Sequence, residues 1–154
     1  MTKIAVFPGS FDPVTLGHVN IIERALPLFD KIIIAIGANS QKSGYFTLEQ
    51  RMNWLQEIYL NEKNVEIESY EGLTVDFCKR TGSKYILRGL RGVSDYEYEK
   101  VIAQTNKTMY PEIETVFILS APEFSHISST IVKEVLRHNG DISKLVPMVV
   151  TRGA

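Results

Sequence analysis

Ten residues, Gly9-Ser-Phe-Asp-Pro-Val-Thr-Leu-Gly-His18, lead from an apolar run, KIAVFP, into a helix-period segment. Roughly three or four residues suffice for a plain strand-to-helix turn. The extra length carries Gly9, Ser10 and Pro13 toward a helix N-terminus, where free amide N–H groups and the helix dipole favour an anion. His18 falls in the first helical turn, where the same dipole disfavours its charged form. It can still donate a hydrogen bond to a phosphate oxygen. Taken alone, Gly-His is better explained as a turn at Asp12-Pro13 with His18 as a helix cap, a reading that weakens once Arg88 and Arg91 are added.

A second stretch, Arg88-Gly-Leu-Arg-Gly92, sets two guanidinium groups and two glycines just past another apolar run. Arginine matches phosphate oxygens in a bidentate fork, and glycine admits close approach. The alternative is a solvated loop in which Arg88 pairs with Asp95 or Glu97. In Ser125-His-Ile-Ser-Ser-Thr130, one serine suffices as an N-cap. The three successive hydroxyls of Ser128, Ser129 and Thr130 exceed that need and suit the terminal phosphates of a nucleotide. His126 reads as a packing or capping residue. Lys42, in Ser40-Gln-Lys-Ser-Gly44, is either solvated surface or a flexible ammonium that reaches a phosphate.

Several chemistries lack their residues. The chain has no GxxxxGK[ST] phosphate loop and no GxGxxG fingerprint. Cys78, His18, His126 and His138 have no zinc-like spacing. No nucleophile stands beside a base, which argues against a covalent intermediate. No Asp/Glu pair is placed to cage a metal, so Mg²⁺ is expected to be held mainly by phosphates and water.

The elements that must carry these loops alternate along the chain. Strands are expected over 3–8, 31–38, 64–69, 84–89 and 114–120, the second almost unbroken in apolar residues, as a strand covered on both faces should be. A helix from near Gly17 places Val19, Ile22, Ala25, Leu26 and Phe29 on one face. Thr47-Leu-Glu-Gln50 is a capping box opening a second helix, and LTVDFCKRT a short third one ending at Gly82. Ser94-Asp-Tyr-Glu97 reads as another capping box, with a helix running to about Tyr110-Pro111. Residues 128–140 form a fifth helix with Gly140 in the capping position, and DISKLV a last helical turn or short helix. Five β-then-α units predict a single-domain (1–154) doubly wound five-stranded parallel sheet. In the common strand order 3-2-1-4-5, strands 1 and 4 are neighbours where the winding reverses, and ligands bind beyond their carboxyl ends. GSFDPVTLGH and RGLRG should then face one another, with the serine cluster beside them.

The totals exclude other classes. At 154 residues, with 44% hydrophobic and 23% charged content, the chain suits one ordinary globular domain. A net charge of −1 gives no reason to expect nucleic-acid or membrane partners. One cysteine, and no signal-peptide pattern at the start, fit a cytoplasmic protein.

The pattern G-S-F-D-P-x-T-x-G-H resembles the nucleotidyltransferase superfamily with the TxGH signature, which has a Rossmann-like fold. RGLR and ISST-x-V-K-E, with FTLEQR at 46–51 and the acidic run at 95–99, narrow the resemblance to bacterial-type phosphopantetheine adenylyltransferases across nearly the whole chain. The resemblance implies adenylyl transfer from ATP to 4′-phosphopantetheine by in-line attack, giving dephospho-coenzyme A and pyrophosphate. It implies catalytic roles for His18, Ser10, Lys42 and Arg91. On the ATP side it places Ser10, Phe11, His18, Gly89, Leu90, Arg91, Glu99 and Phe124, Ser125, His126, Ile127, Ser128, Ser129 and Thr130. Ser10, Lys42, Thr74, Arg88 and Asn106 fall on the phosphopantetheine side. A homohexamer and a coenzyme A feedback ligand in the same pocket are further implications. Ser43-Gly44 depart from the family pattern after Lys42, where a basic residue and a proline are expected. The rivals are a sibling enzyme using CTP or nicotinamide mononucleotide, and a sensor that has lost activity. Thr15 argues against cytidylyl transfer, and the retained His18 and Lys42 argue against a sensor.

Overall fold

Five parallel strands form one sheet in the order β3-β2-β1-β4-β5 in the computed structural model, which describes residues 1–38 and 44–154. They are β1 (Ile4–Gly9), β2 (Lys31–Gly37), β3 (Val65–Tyr70), β4 (Tyr85–Leu90) and β5 (Glu114–Leu119). The helices are α1 (Leu16–Ala25), α2 (Leu48–Ile58), α3 (Thr74–Thr81), α4 (Val93–Met109), α5 (Ser129–Arg137) and α6 (Met148–Gly153). The expected order is therefore observed, and its cause is visible in the core. Strand side chains alternate between faces, so Ala5, Phe7, Ile32, Ile34 and Ile36 enter one core with residues of α1, α2, α5 and α6. Val6, Ile33 and Ala35 enter a second core with Val75, Phe77 and Cys78 of α3. A strand buried on both faces cannot alternate apolar with polar, which is why its sequence reads as an unbroken run.

The sheet opens where the winding reverses. β1 pairs with β2 over six residues, Ile4 to Gly9, but with β4 only at Ala5–Tyr85 and Val6–Ile86. Past those two pairs, β1 and β4 separate, and a crevice forms between their carboxyl ends.

Three local expectations are corrected. α4 starts at Val93 after Gly92 and has no side-chain cap, so the Ser94–Glu97 box does not form. Its acid is drawn backward: Asp95 accepts from the Arg91 N–H at 2.9 Å and from its guanidinium. At the end of α5, Asn139 and not Gly140 takes the left-handed conformation (φ 57°). Gly140 is needed for contact, because a Cβ there would lie 2.6 Å from Val135 Cγ1. DISKLV makes one helical turn, its Val146 N–H donating to the Ile142 carbonyl at 3.2 Å, but it is not the last helical element, because α6 follows it. The Thr47–Gln50 capping box, the left-handed Gly82 after α3 and the Ser128 N-cap of α5 are all present.

Candidate active site

The crevice is two clefts sharing a wall. The first, about 390 Å³, is lined by Ser10, Phe11, His18, Gly89, Arg91 and Glu99, with Ile127, Ser128, Ser129 and Thr130 opposite. The second, about 250 Å³, is more apolar and includes Tyr70, Thr74, Ile102, Ala103 and Asn106. Pro8, Gly9, Ser10, Arg88 and Glu99 line both. One cleft thus joins the β1 and β4 loops to the start of α5, and the other joins them to α3 and α4.

His18 is held by the cap of its own helix. Thr15 is the N-cap of α1, and the His18 N–H donates to its hydroxyl at 3.3 Å. In return, the Thr15 backbone N–H donates to His18 Nδ1 at 3.0 Å. This is a capping box with histidine where glutamate or glutamine usually stands. A backbone N–H can only donate, so Nδ1 must accept, and the proton of the neutral ring sits on Nε2. The ring packs 4.8 Å from Phe11, and it lines the first cleft. Burial first, then the positive charges of Arg88 and Arg91, lower its pKa to about 4. The ring is therefore neutral at pH 7 and offers one donor, Nε2–H. The ring caps the helix with one nitrogen, which leaves the other to donate into the cleft.

Phe11 reaches that position at a backbone cost. Its φ of 45° is left-handed, worth about 1–2 kcal/mol against an L-residue. Its ring, 1% exposed and edge-on to Phe7 at 5.4 Å, offsets the strain by burial.

All three nitrogens of the Arg88 guanidinium have partners. Its Nε and Nη2 donate to the two oxygens of Glu99 at 2.9 and 2.6 Å, and Nη1 donates to the Pro8 carbonyl left unpaired where β1 and β4 part. Its partner is therefore neither Asp95 nor Glu97. Glu99 is no part of a solvated acidic face either, since it is the buried residue of α4. Asp95 instead pairs with Arg91 at 3.1 Å. The nitrogens of both guanidiniums retain further N–H groups for a ligand.

Other expected residues scatter. Thr74 and Asn106 line the second cleft, and the Thr74 hydroxyl lies 2.8 Å from that of Tyr70. Leu90, Phe124, Ser125 and His126 lie outside both clefts, and His126 is exposed. Lys42 lies outside the described residues. Asp12 and Arg51, buried around the Ser10 loop, were not among the expected site residues. A signal for Arg51 existed: it stands between Leu48, Met52 and Leu55, a charge on an apolar helix face. Cys78 is buried, which raises its thiol to about 11, so it supplies no thiolate.

Comparison with known proteins agrees with this geometry. Residues 6–135 match the family described as cytidylyltransferase-like. The phosphopantetheine adenylyltransferase of Christiangramia forsetii is 55% identical over 97% of this chain and 99% of its own. That of Flavobacterium psychrophilum is 54% identical over 95% and 96%. A bifunctional NMN adenylyltransferase/ADP ribose pyrophosphatase structure from Francisella tularensis, 18% identical, superimposes with a TM-score of 0.73 over 95% of this chain and 45% of that one. It shares the fold.

Proposed function

The chain belongs to the phosphopantetheine adenylyltransferase family, and on that premise we propose that its two clefts hold the two substrates of adenylyl transfer. The enzyme transfers an adenylyl group from ATP to 4′-phosphopantetheine, in coenzyme A synthesis. The observation that carries the assignment of clefts is their shared wall. A polar cleft with a helix N-terminus, Arg91 and the Ser128 and Thr130 hydroxyls suits a nucleoside triphosphate, and an apolar cleft through Tyr70 and Ile102 suits a pantetheine arm. They meet at Ser10 and Arg88, where an acceptor phosphate and the α-phosphorus of ATP would be adjacent.

An oxygen of the acceptor phosphate attacks the α-phosphorus in line. The bond to the α,β-bridging oxygen breaks, and pyrophosphate leaves with that electron pair. The protein's part is orientation and charge stabilisation. His18 Nε2–H donates to a non-bridging α-phosphate oxygen. Arg88 and Ser10 hold the acceptor phosphate, and Arg91 holds the leaving pyrophosphate with the Ser128 and Thr130 hydroxyls and the helix N-terminus at Ser129, whose own hydroxyl donates to the Pro13 carbonyl at 2.8 Å. Mg²⁺ accompanies ATP and neutralises phosphate charge. The described residues contain no cluster of three or more acid, histidine or cysteine ligands, and Arg88 and Arg91 occupy the cleft's carboxylates, which suits an ion held by phosphates and water.

Coenzyme A, carrying a pantetheine arm and a nucleotide, would span both clefts and compete with both substrates. Assembly as a homohexamer rests on the family premise and on the apolar side chains that α4 exposes. Among the described residues no helix is long and apolar enough to cross a membrane, and the reading places the enzyme in the cytoplasm.

Pyrophosphate release from Mg²⁺-ATP tests the assignment. Release should require both ATP and 4′-phosphopantetheine. Release with CTP, or with nicotinamide mononucleotide as the acceptor, would move the chain to a sibling reaction, and no release with any pair would restore the sensor.

A further inference from the structure

Ser10 borders both clefts, yet it is exposed, so no packing holds it there. Its place depends on its backbone, and that backbone belongs to a closed circuit of hydrogen bonds. Asp12 Oδ2 accepts the Tyr45 N–H at 2.7 Å, and Oδ1 accepts the Phe46 N–H at 2.9 Å. The Phe46 carbonyl accepts from Arg51 Nε at 3.2 Å, and Arg51 Nη1 donates to the Ser10 carbonyl at 2.8 Å. The path runs from Ser10 through Phe11 and Asp12, across to Phe46, across again to Arg51, and back to Ser10. Phe46 is itself fixed, buried edge-on against Trp54 of α2 at 4.8 Å.

Both charges in the circuit are buried, Asp12 to 4% exposure and Arg51 to 8%. They are not each other's ion pair: Asp12 faces Lys133 of α5 at 3.7 Å, while Arg51 directs its fork at neutral carbonyls. Removing a guanidinium from water for such partners is expensive. An apolar residue would fill the slot on α2, between Leu48 and Leu55, at lower cost. What it could not do is hold the Ser10 carbonyl and the Phe46 carbonyl in one plane.

We infer that Arg51 and Asp12 are positioning residues for the transfer: through the Ser10 carbonyl and the Phe46 peptide they fix the Ser10–Phe11 turn where the two clefts meet. The inference rests on the assignment of those clefts to ATP and phosphopantetheine. The brace acts on one side of the turn, leaving the Ser10 side chain to the clefts and the Phe11 ring against His18. It supplies the rigidity that an exposed Ser10 beside a left-handed Phe11 lacks by itself.

Steady-state kinetics on Arg51→Ala and Arg51→Lys tests the inference, with wild-type turnover in the same assay testing the reading of the clefts separately. Arg51→Ala should lower kcat about 10²-fold, the loss typical of a misplaced group, with the KM of each substrate shifted less than about threefold. Arg51→Lys, which keeps the charge but cannot bridge both carbonyls, should fall between wild type and Arg51→Ala and remains informative if the alanine variant does not fold. In a Ser10→Ala background the same Arg51 substitutions should cost less than about threefold, because the group being positioned is gone. Millimolar guanidinium should restore part of the Arg51→Ala turnover. A kcat within threefold of wild type in both variants would overturn the inference. So would an undiminished loss in the Ser10→Ala background, which is the signature of a role in the scaffold alone.

Discussion

At the scale of single residues, His18 caps its own helix with one nitrogen and, in the proposed reaction, acts through the other. Nδ1 is committed to the Thr15 N–H, so Nε2 alone is offered to the cleft, and as a donor. His18→Ala should lower kcat about 10²–10³-fold, the loss typical of one transition-state donor. Its titration adds an independent signature. The folded ring has a pKa of about 4 against an ordinary 6.5, so unfolding takes up a proton between those values. The stability this neutral histidine contributes is complete above about pH 6.5 and is lost as pH falls through 6.5 toward 4. Thermal melts from about pH 7 down to 4.5 should therefore fall less steeply in the alanine variant than in wild type. Equal slopes would mean that His18 titrates near its ordinary value in the fold. The TxGH spacing made the histidine legible. Its tautomer was not, because that depends on which backbone N–H the ring meets.

At the scale of elements, Arg88 and Glu99 join β4 to α4 across the wall between the clefts. Sequence reading offered Asp95 or Glu97 as the partner, both nearer in the chain. α4 turns those two away: Asp95 lies one helical turn from Glu99 and bonds back to Arg91, while Glu97 is exposed. Glu99→Gln should leave Arg88 without its charged partner and free to shift. The KM for phosphopantetheine should then rise several-fold more than that for ATP, read by varying each substrate in turn. A change confined to the KM for ATP would make Glu99 a direct nucleotide ligand. The failed Ser94 capping box has the same origin, since the acid of the first turn answers to Arg91 in the preceding loop. Local rules predicted caps correctly where no outside charge competed, as at Thr47.

At the scale of the whole molecule, α4 departs from the other long helices. Its one buried residue is Glu99, while Val93, Tyr98, Val101 and Met109 stand exposed. An apolar face of this kind is ordinarily covered. In the proposed hexamer it is covered by other copies of the chain. Sedimentation velocity should give the mass of six chains, and Val101→Glu should shift it to smaller species. A wild-type monomer at micromolar concentration would remove the hexamer from the proposal.

The strand order and the facing of the two glycine-bearing loops were legible because unbroken apolar runs specify strands buried on both faces, and winding rules leave few ways to arrange them. The meeting of His18, Arg88 and Arg91 in one cleft was legible for a related reason: the segments that follow β1 and β4 leave the sheet where the topology puts ligands. Tertiary structure alone decided who pairs with whom. β1 and β4 separate after two residue pairs, and the Pro8 carbonyl freed there is taken by Arg88. Arg51 reaches Ser10 across forty-one positions of sequence, and Asp12 reaches Phe46 across thirty-four. Composition and periodicity determine which face of an element is buried. They carry no information on which distant carbonyl lies within 3 Å of a buried guanidinium, and that distance holds the site in shape.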